Sequence, residues 1–295
     1  MTRGKKPEPP PAARAGTATM SDLFARPPVA TDGIRVGIGG WTYAPWRDNF
    51  YPKGLVQRRE LEYASRHVSA IEINGTYYGT QKPATYAKWR DQAPDGFVFS
   101  AKAPMRIMQS RSLEKTGPQV EDFIGGICEL GAKLGPLVWQ FDAGQRIDRD
   151  GFAAFLELLP GEAGGRPLRH VLDVRDPGFV DGAYLALARR HGMATVFTDS
   201  PDHPSFADAT ADFVYARLMR SRAGIATGYT DAELQRWAQR ARQWATGGEP
   251  GDLPRIEPVG TAATKPRDVF VYFISAAKER NPAAAMALLQ RLDAG

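Results

Sequence analysis

The 295-residue chain is 43% hydrophobic and 24% charged, the balance of a globular protein long enough for one large α/β domain or two smaller ones. One cysteine, Cys128, excludes an internal disulfide and any cysteine-rich zinc site and, with no secretory signal, suits a reducing, cytoplasmic setting. The net charge of +5 divides into +2 over residues 1–33 and +3 over the remainder, a weak electrostatic footprint for a nucleic-acid binder.

Residues 1–33, "MTRGKKPEPPPAARAGTATMSDLFARPPVATDG", carry neither an apolar signal core nor a periodic pattern, and their proline and alanine content predicts a disordered tail. Residues 34–295 are expected to form a single domain. Short apolar runs predict strands at 34–40, 70–74, 97–102, 136–141, 170–175, 194–199, 213–218 and 269–275. Helical patterns fall between them at 57–68, 83–92, 118–133, 150–159, 179–191 and 230–245, with a last one at 282–292. Alternating strand and helix favours βα units, and eight strands close a TIM (β/α)8-type barrel with parallel strands. The sixth connection, "SPDHPSFADATAD", is too short for a full helix, so one helix is expected to be reduced. Residues 246–266 are rich in glycine and proline and read as a long surface loop. Asn74-Gly75 is the one competing signal, a hairpin signature, but "GTQKP" follows too soon to leave a pairing strand. Nowhere is an apolar run long enough to span a bilayer, so no membrane partner is expected.

Read with period 2, each strand separates its polar from its apolar residues. Glu72 and Asn74 oppose Ile71 and Ile73; Ser100 and Lys102 share a face; Gln140 opposes Trp139 and Phe141; Asp173 and Arg175 oppose Leu172 and Val174; Arg217 opposes Ala216 and Leu218. The helix-facing side of a barrel must be apolar. These residues are therefore expected to point inward at the mouth, Glu72, Asp173 and Asp199 facing Lys102, Arg175 and Arg217. A self-neutralising ring of salt bridges that merely closes the barrel is the bland account of the same set. Above it, "GIGGWTYAPWRDNFYP" (37–52) crowds rings into a loop: Trp41 and Tyr43, directly after the strand, are expected to touch a ligand, whereas Phe50 and Tyr51 beside Pro52 suit packing.

"GIGGWTYAPWRDNFYP", "IEINGTYYGTQKPATYAKWRDQAPDGFVFSAKAP" and "LGPLVWQF" resemble, in order and spacing, the YecE-like family catalogued as domain of unknown function 72, and "LDVRDPGF" resembles its later motif. The resemblance runs from about Ile34 to the C-terminus and is strong through Phe141. It implies a TIM-type barrel whose shared residues cluster at the mouth, and it implies no established reaction. Position by position it supports Trp41, Tyr43, Trp46, Glu72, Asn74, Tyr77, Lys102, Gln140, Arg175, Asp199 and Arg217 as mouth residues. Three departures accompany it: Asp173 where the family usually has glutamate, "RIMQ" after "KAP" in place of an Ile-Thr-His run, and "ISAAKERNP" in place of an asparagine-rich stretch.

The predicted catalytic set is Glu72, Lys102 and Asp173; Trp41, Tyr43, Trp46, Asn74, Tyr77, Gln140, Arg175, Asp199 and Arg217 are predicted to bind ligand. Guanidinium forks suit a carboxylate or phosphate and the rings suit a sugar or base, which points to an enzyme of hydrolase or isomerase type on a small anionic ligand such as a sugar phosphate or nucleotide. The alternative is a non-catalytic module holding an effector or a single-stranded nucleic acid. Glu72, Asp173, Asp199 and His203 are the residues a metal would use, but the interleaved cations oppose it and the four histidines lack any ligand spacing; neither metal nor cofactor is predicted.

Overall fold

The computed structural model describes residues 32–145, 148–258 and 265–294; the predicted tail lies, up to residue 31, outside the described residues. Eight strands form a closed barrel: β1 (Ile34–Gly39), β2 (Ala70–Ile73), β3 (Val98–Lys102), β4 (Leu134–Phe141), β5 (His170–Val174), β6 (Ala194–Thr198), β7 (Phe213–Leu218) and β8 (Asp268–Phe273). Every strand pairs in parallel with its neighbours in sequence, and β8 closes on β1 from Ile34↔Val269 to Ile38↔Phe273. A two-stranded ribbon, Glu162–Ala163 with Arg166–Pro167, precedes β5. The predicted strands and the observed ones agree to within two residues at each end.

The helices α1 (Glu60–Ala64), α2 (Pro83–Gln92), α3 (Gly117–Ile127), α4 (Arg149–Glu157), α5 (Gly182–Arg190), α6 (Asp231–Ala245) and α7 (Asn281–Asp293) occupy the predicted intervals. Residues 199–212 contain no helix, so the sixth connection is the reduced one. Local chemistry fixes the helix starts. Asp148 and Asp181 accept from the backbone N–H of Gly151 and Tyr184, and Thr230 with Glu233 forms a capping box ahead of α6. The Asn74-Gly75 hairpin signal does not operate. Asn74 has φ −88° and ψ −19°, not the positive φ a two-residue hairpin needs, and it opens a single helical turn, Gly75–Tyr78.

Period-2 alternation divides the core in two. Outward strand residues such as Ile71, Phe99, Trp139, Leu172 and Ala216 pack with the helices, while Ala70, Val98, Val138, Val171, Phe213, Phe270 and Tyr272 fill the interior as a separate cluster. Gly37 lets that interior close. A Cβ there would lie 2.2 Å from the Ala70 carbonyl oxygen and 2.9 Å from the Tyr272 ring. The apolar plug fills the N-terminal part of the barrel, which forces the polar inward residues into the layer above it.

Candidate functional site

That polar layer is a hydrogen-bonded ring built from four strands. The Arg217 guanidinium (β7) donates from Nη2 to Glu72 Oε1 (β2) at 3.0 Å and from Nη1 to Asp173 Oδ2 (β5) at 2.8 Å. The other Glu72 oxygen accepts from the Tyr215 hydroxyl at 2.7 Å, and Ser100 Oγ lies 2.9 Å from that hydroxyl. Glu72 is completely enclosed, and both of its oxygens are occupied. Burial would raise the Asp173 carboxyl, but Arg217 and Arg175 overcome that and hold it below the usual carboxylate range. Burial and the Glu72 charge push the Tyr215 phenol well up, so it stays protonated as a donor.

Lys102 stands in contrast. It ends β3 on the same inward face, is 8% exposed, and its ammonium forms no hydrogen bond or ion pair among the described residues. The Tyr77 ring centroid lies 4.2 Å from Nζ. Burial first, then the Arg217 charge, pushes the amine down to about 8. Thr76 sets this arrangement: its hydroxyl lies 2.7 Å from Lys102 O, to which it donates, and 3.0 Å from Ile73 O, tying the turn after β2 to the end of β3 and carrying Tyr77 over the amine. The Tyr77 hydroxyl donates to Asp142 Oδ2 at 3.1 Å, and Gln140 donates to Asp142 Oδ1 at 2.5 Å. Arg175 donates to Asp173 Oδ2 at 3.1 Å and reaches Asp142 at 3.9 Å. Arg217 Nε, Gln140 Oε1 and the Tyr272 hydroxyl are enclosed without a hydrogen-bond partner among the described residues.

The other sequence-predicted residues lie elsewhere. Trp46 is fully enclosed and its indole N–H donates to Lys278 O at 2.9 Å, so its ring is part of the core and does not reach the mouth. Trp41 is half-buried, packing edge-on against Trp89 of α2 and Phe99, on the helix side of the strand wall. Tyr43 packs on Trp46 with the Lys278 ammonium 4.5 Å from its ring. Phe50 and Tyr51 are buried, the Tyr51 hydroxyl donating to Trp41 O. The Asn74 side-chain amide donates to the Glu72 carbonyl at 3.4 Å.

Asp199 was expected to face the arginines of the ring and does not. Inward positions on β6 are Ala194, Val196 and Thr198, so Asp199 has the opposite phase; it accepts from Met219 N–H and from the Tyr229 hydroxyl at 3.0 Å. Burial raises its carboxyl above the usual range. It lines a separate cleft of about 820 Å³ between the loops after β6 and β7, with Arg220, Arg222, Arg236 and Arg240 around the wall. Sequence reasoning missed Tyr215, Tyr272 and Asp142. Tyr215 was accessible to it, being two residues before Arg217 and hence on the same face, and Asp142 follows Gln140 by the same step.

A cation would have to compete with Arg217, which already pairs with both Glu72 and Asp173. Among the described residues no group of three or more His, Cys, Asp or Glu side chains is arranged to hold a metal, and no helix is long and apolar enough to cross a membrane.

The comparisons agree with this architecture. UPF0759 protein YunF of Bacillus subtilis is 29% identical over 70 residues, which is 24% of this chain and 24% of that protein. A DUF72 family protein from Thermotoga maritima superposes with a TM-score of 0.65 at 17% identity, covering 88% of this chain and 98% of that one. One from Enterococcus faecalis gives 0.63 at 16%, covering 88% and 97%. These likenesses show the fold. The family model described as "Protein of unknown function DUF72" matches residues 35–295, so the chain belongs to that family.

Proposed function

We propose that the protein is an enzyme acting on a small anionic ligand, such as a sugar phosphate or nucleotide, at the mouth of the barrel, with Lys102 as its reactive group. One observation carries the reading: an amine held in the barrel mouth with no hydrogen-bonded counter-ion among the described residues, lowered to about 8 by burial and by the Arg217 charge against the opposing pull of Glu72 and Asp173, so that a good fraction is neutral near physiological pH. An ordinary lysine is almost wholly protonated there. In this reading Glu72 and Asp173 do not react. They hold Arg217 and Arg175 in place, and the partly exposed Arg175 guanidinium recognises the anion. Tyr77 then presents one ring face to the amine and the neighbouring recess of about 210 Å³ takes the rest of the ligand. A thermal-shift screen of phosphorylated sugars, nucleotides and small carboxylates tests this. A ligand that stabilises the wild-type chain and loses its effect in Lys102→Met and in Arg175→Met supports it; a hit unaffected by both substitutions removes it.

The arginine-lined cleft beside Asp199 favours a second reading, a non-catalytic module for a larger anion including single-stranded nucleic acid. Oligonucleotide binding that falls steeply with salt and depends on Arg220 and Arg236 would select it.

A further inference from the structure

Four features of the mouth bear on the kind of chemistry Lys102 performs. Its ammonium forms no ion pair with a carboxylate among the described residues, Glu72 and Asp173 Oδ2 being engaged by Arg217 and the Asp142 oxygens by Gln140 and Tyr77. The Tyr215 hydroxyl is likewise engaged, donating to Glu72. Two guanidinium groups flank the amine and disfavour its charged form, while remaining able to hold an anionic substituent. The amine sits at the end of a strand, fixed through the Thr76 bond to its own carbonyl and by the Tyr77 ring, and it still reaches solvent. General acid–base isomerisation needs a second proton carrier across the substrate, and the two buried carboxylates of the layer, Glu72 and Asp173, are engaged by Arg217. A neutral lysine beside cationic groups can instead act as a nucleophile toward a carbonyl.

From this geometry we infer that Lys102 forms a covalent imine with the aldehyde or ketone carbon of a small anionic substrate, a keto acid or an open-chain phosphosugar. The inference rests on the reading of the mouth as the active site and goes beyond it by naming the bond. The Lys102 nitrogen lone pair adds to the carbonyl carbon to give a carbinolamine. The former carbonyl oxygen, having gained two protons, leaves as water; one proton comes from the amine and the other from solvent at the mouth, and the product is a protonated C=N linkage. No oxidant or reductant is consumed. The iminium so formed withdraws electrons from the adjacent carbon, and Arg175 holds the substrate's anionic end.

The wild-type chain tests this without a variant, because its exposed lysines Lys53, Lys82, Lys88 and Lys115 serve as internal controls. The protein is incubated at pH 7.5 with glyoxylate or pyridoxal phosphate, with phosphate-free pyridoxal in parallel, trapped with cyanoborohydride, digested and analysed by mass spectrometry. We expect the reduced adduct on Lys102 to form at least ten-fold faster than on any of the four controls, and the preference to shrink with the phosphate-free aldehyde. Labelling of Lys102 at or below the control rate overturns the imine. If labelling fails while a non-carbonyl anion still stabilises the chain in a Lys102-dependent way, the imine falls and the proposed anion site stands. If neither occurs, both fall.

Discussion

Arg217 and Glu72 are 145 residues apart in sequence and meet as an enclosed ion pair at 3.0 Å, the guanidinium reaching on to Asp173 at 2.8 Å. This triad spans the barrel interior from β2 to β7 and β5, above the apolar plug. It converts two carboxylates, which alone would repel each other, into a neutralising clamp on one cation. Arg175 adds a second cation to Asp173, so both buried carboxylates are engaged by guanidinium groups and neither bonds the Lys102 ammonium. The amine is the group that carries the consequence.

Removing the shared cation should therefore be costly. Arg217→Met leaves Glu72 and Asp173 buried without their counter-ion, which predicts a loss of about 3–5 kcal/mol in urea unfolding. Arg217→Lys should also lose much of the stability, because a compact ammonium lacks the two separate terminal nitrogens with which the guanidinium reaches Asp173 and Glu72. A triple variant, Glu72→Gln, Asp173→Asn and Arg217→Met, should recover part of the loss. Equal stability of the single and triple variants would mean that charge is not the controlling factor.

Lys102 gives a pH dependence of definite sign. Its folded-state value of about 8 lies below the ordinary 10.5, so between those pH values the unfolded chain holds a proton the folded chain has released. Stability then rises with pH across that window, and below pH 8 folding bears the full penalty of a buried charge. At about 1.4 kcal/mol per pH unit the penalty is at most roughly 3 kcal/mol, less where solvent reaches the mouth. Lys102→Met should thus be more stable than wild type at pH 7 by about 1–3 kcal/mol, and the difference should vanish towards pH 10.5. A difference independent of pH would sink the assignment.

How far all this was legible from residues alone depends on phase. Side chains alternate along a strand, so Glu72, Lys102, Asp173 and Arg217 could be placed inward from their apolar neighbours, and the barrel brings them together. The same rule assigns Tyr215 inward and Asp199 outward. Both were obscured because an aromatic within an apolar run reads as core and a carboxylate at a strand end reads as site. The loop 37–52 was less legible for a different reason. No periodicity operates in irregular backbone, so ring orientation there is decided by packing, which put Trp46 inside and Trp41 against α2.

Those rings differ accordingly in what they contribute. Trp46→Ala removes a completely enclosed ring that contacts Tyr43, Phe50 and Tyr51 and leaves the Lys278 carbonyl without its donor; the expected cost is about 3–5 kcal/mol. Tyr43→Ala, at a half-buried ring, should cost about 1 kcal/mol or less. Chemical denaturation of the two variants checks the ranking, and comparable losses would contradict the burial assigned to Trp46.

The eighth loop offers a test of backbone strain. Ser275 and Ala276 follow β8 with φ of 59° and 47°, the left-handed region that L-residues with a Cβ avoid at a cost of roughly 1–2 kcal/mol each. The conformation is imposed from outside: Asn281 donates to Ser275 O at 3.2 Å, and Ala277 N–H donates to Ser221 O at 3.3 Å. Asparagine tolerates this region better than alanine does, and the asparagine-rich stretch that the family resemblance leads one to expect near this loop suits such a turn. Ala276→Asn should therefore stabilise the chain by about 0.5–1 kcal/mol. Ala276→Gly should gain less, because glycine relieves the same strain but adds freedom to the unfolded chain. Ala276→Val, whose branched Cβ fits the region worst, should destabilise. Thermal unfolding of the three variants gives the order Asn, Gly, Val; if Asn and Val shift the midpoint alike, then the turn yields to its side chain and the hydrogen bonds from Asn281 and Ala277 do not hold it.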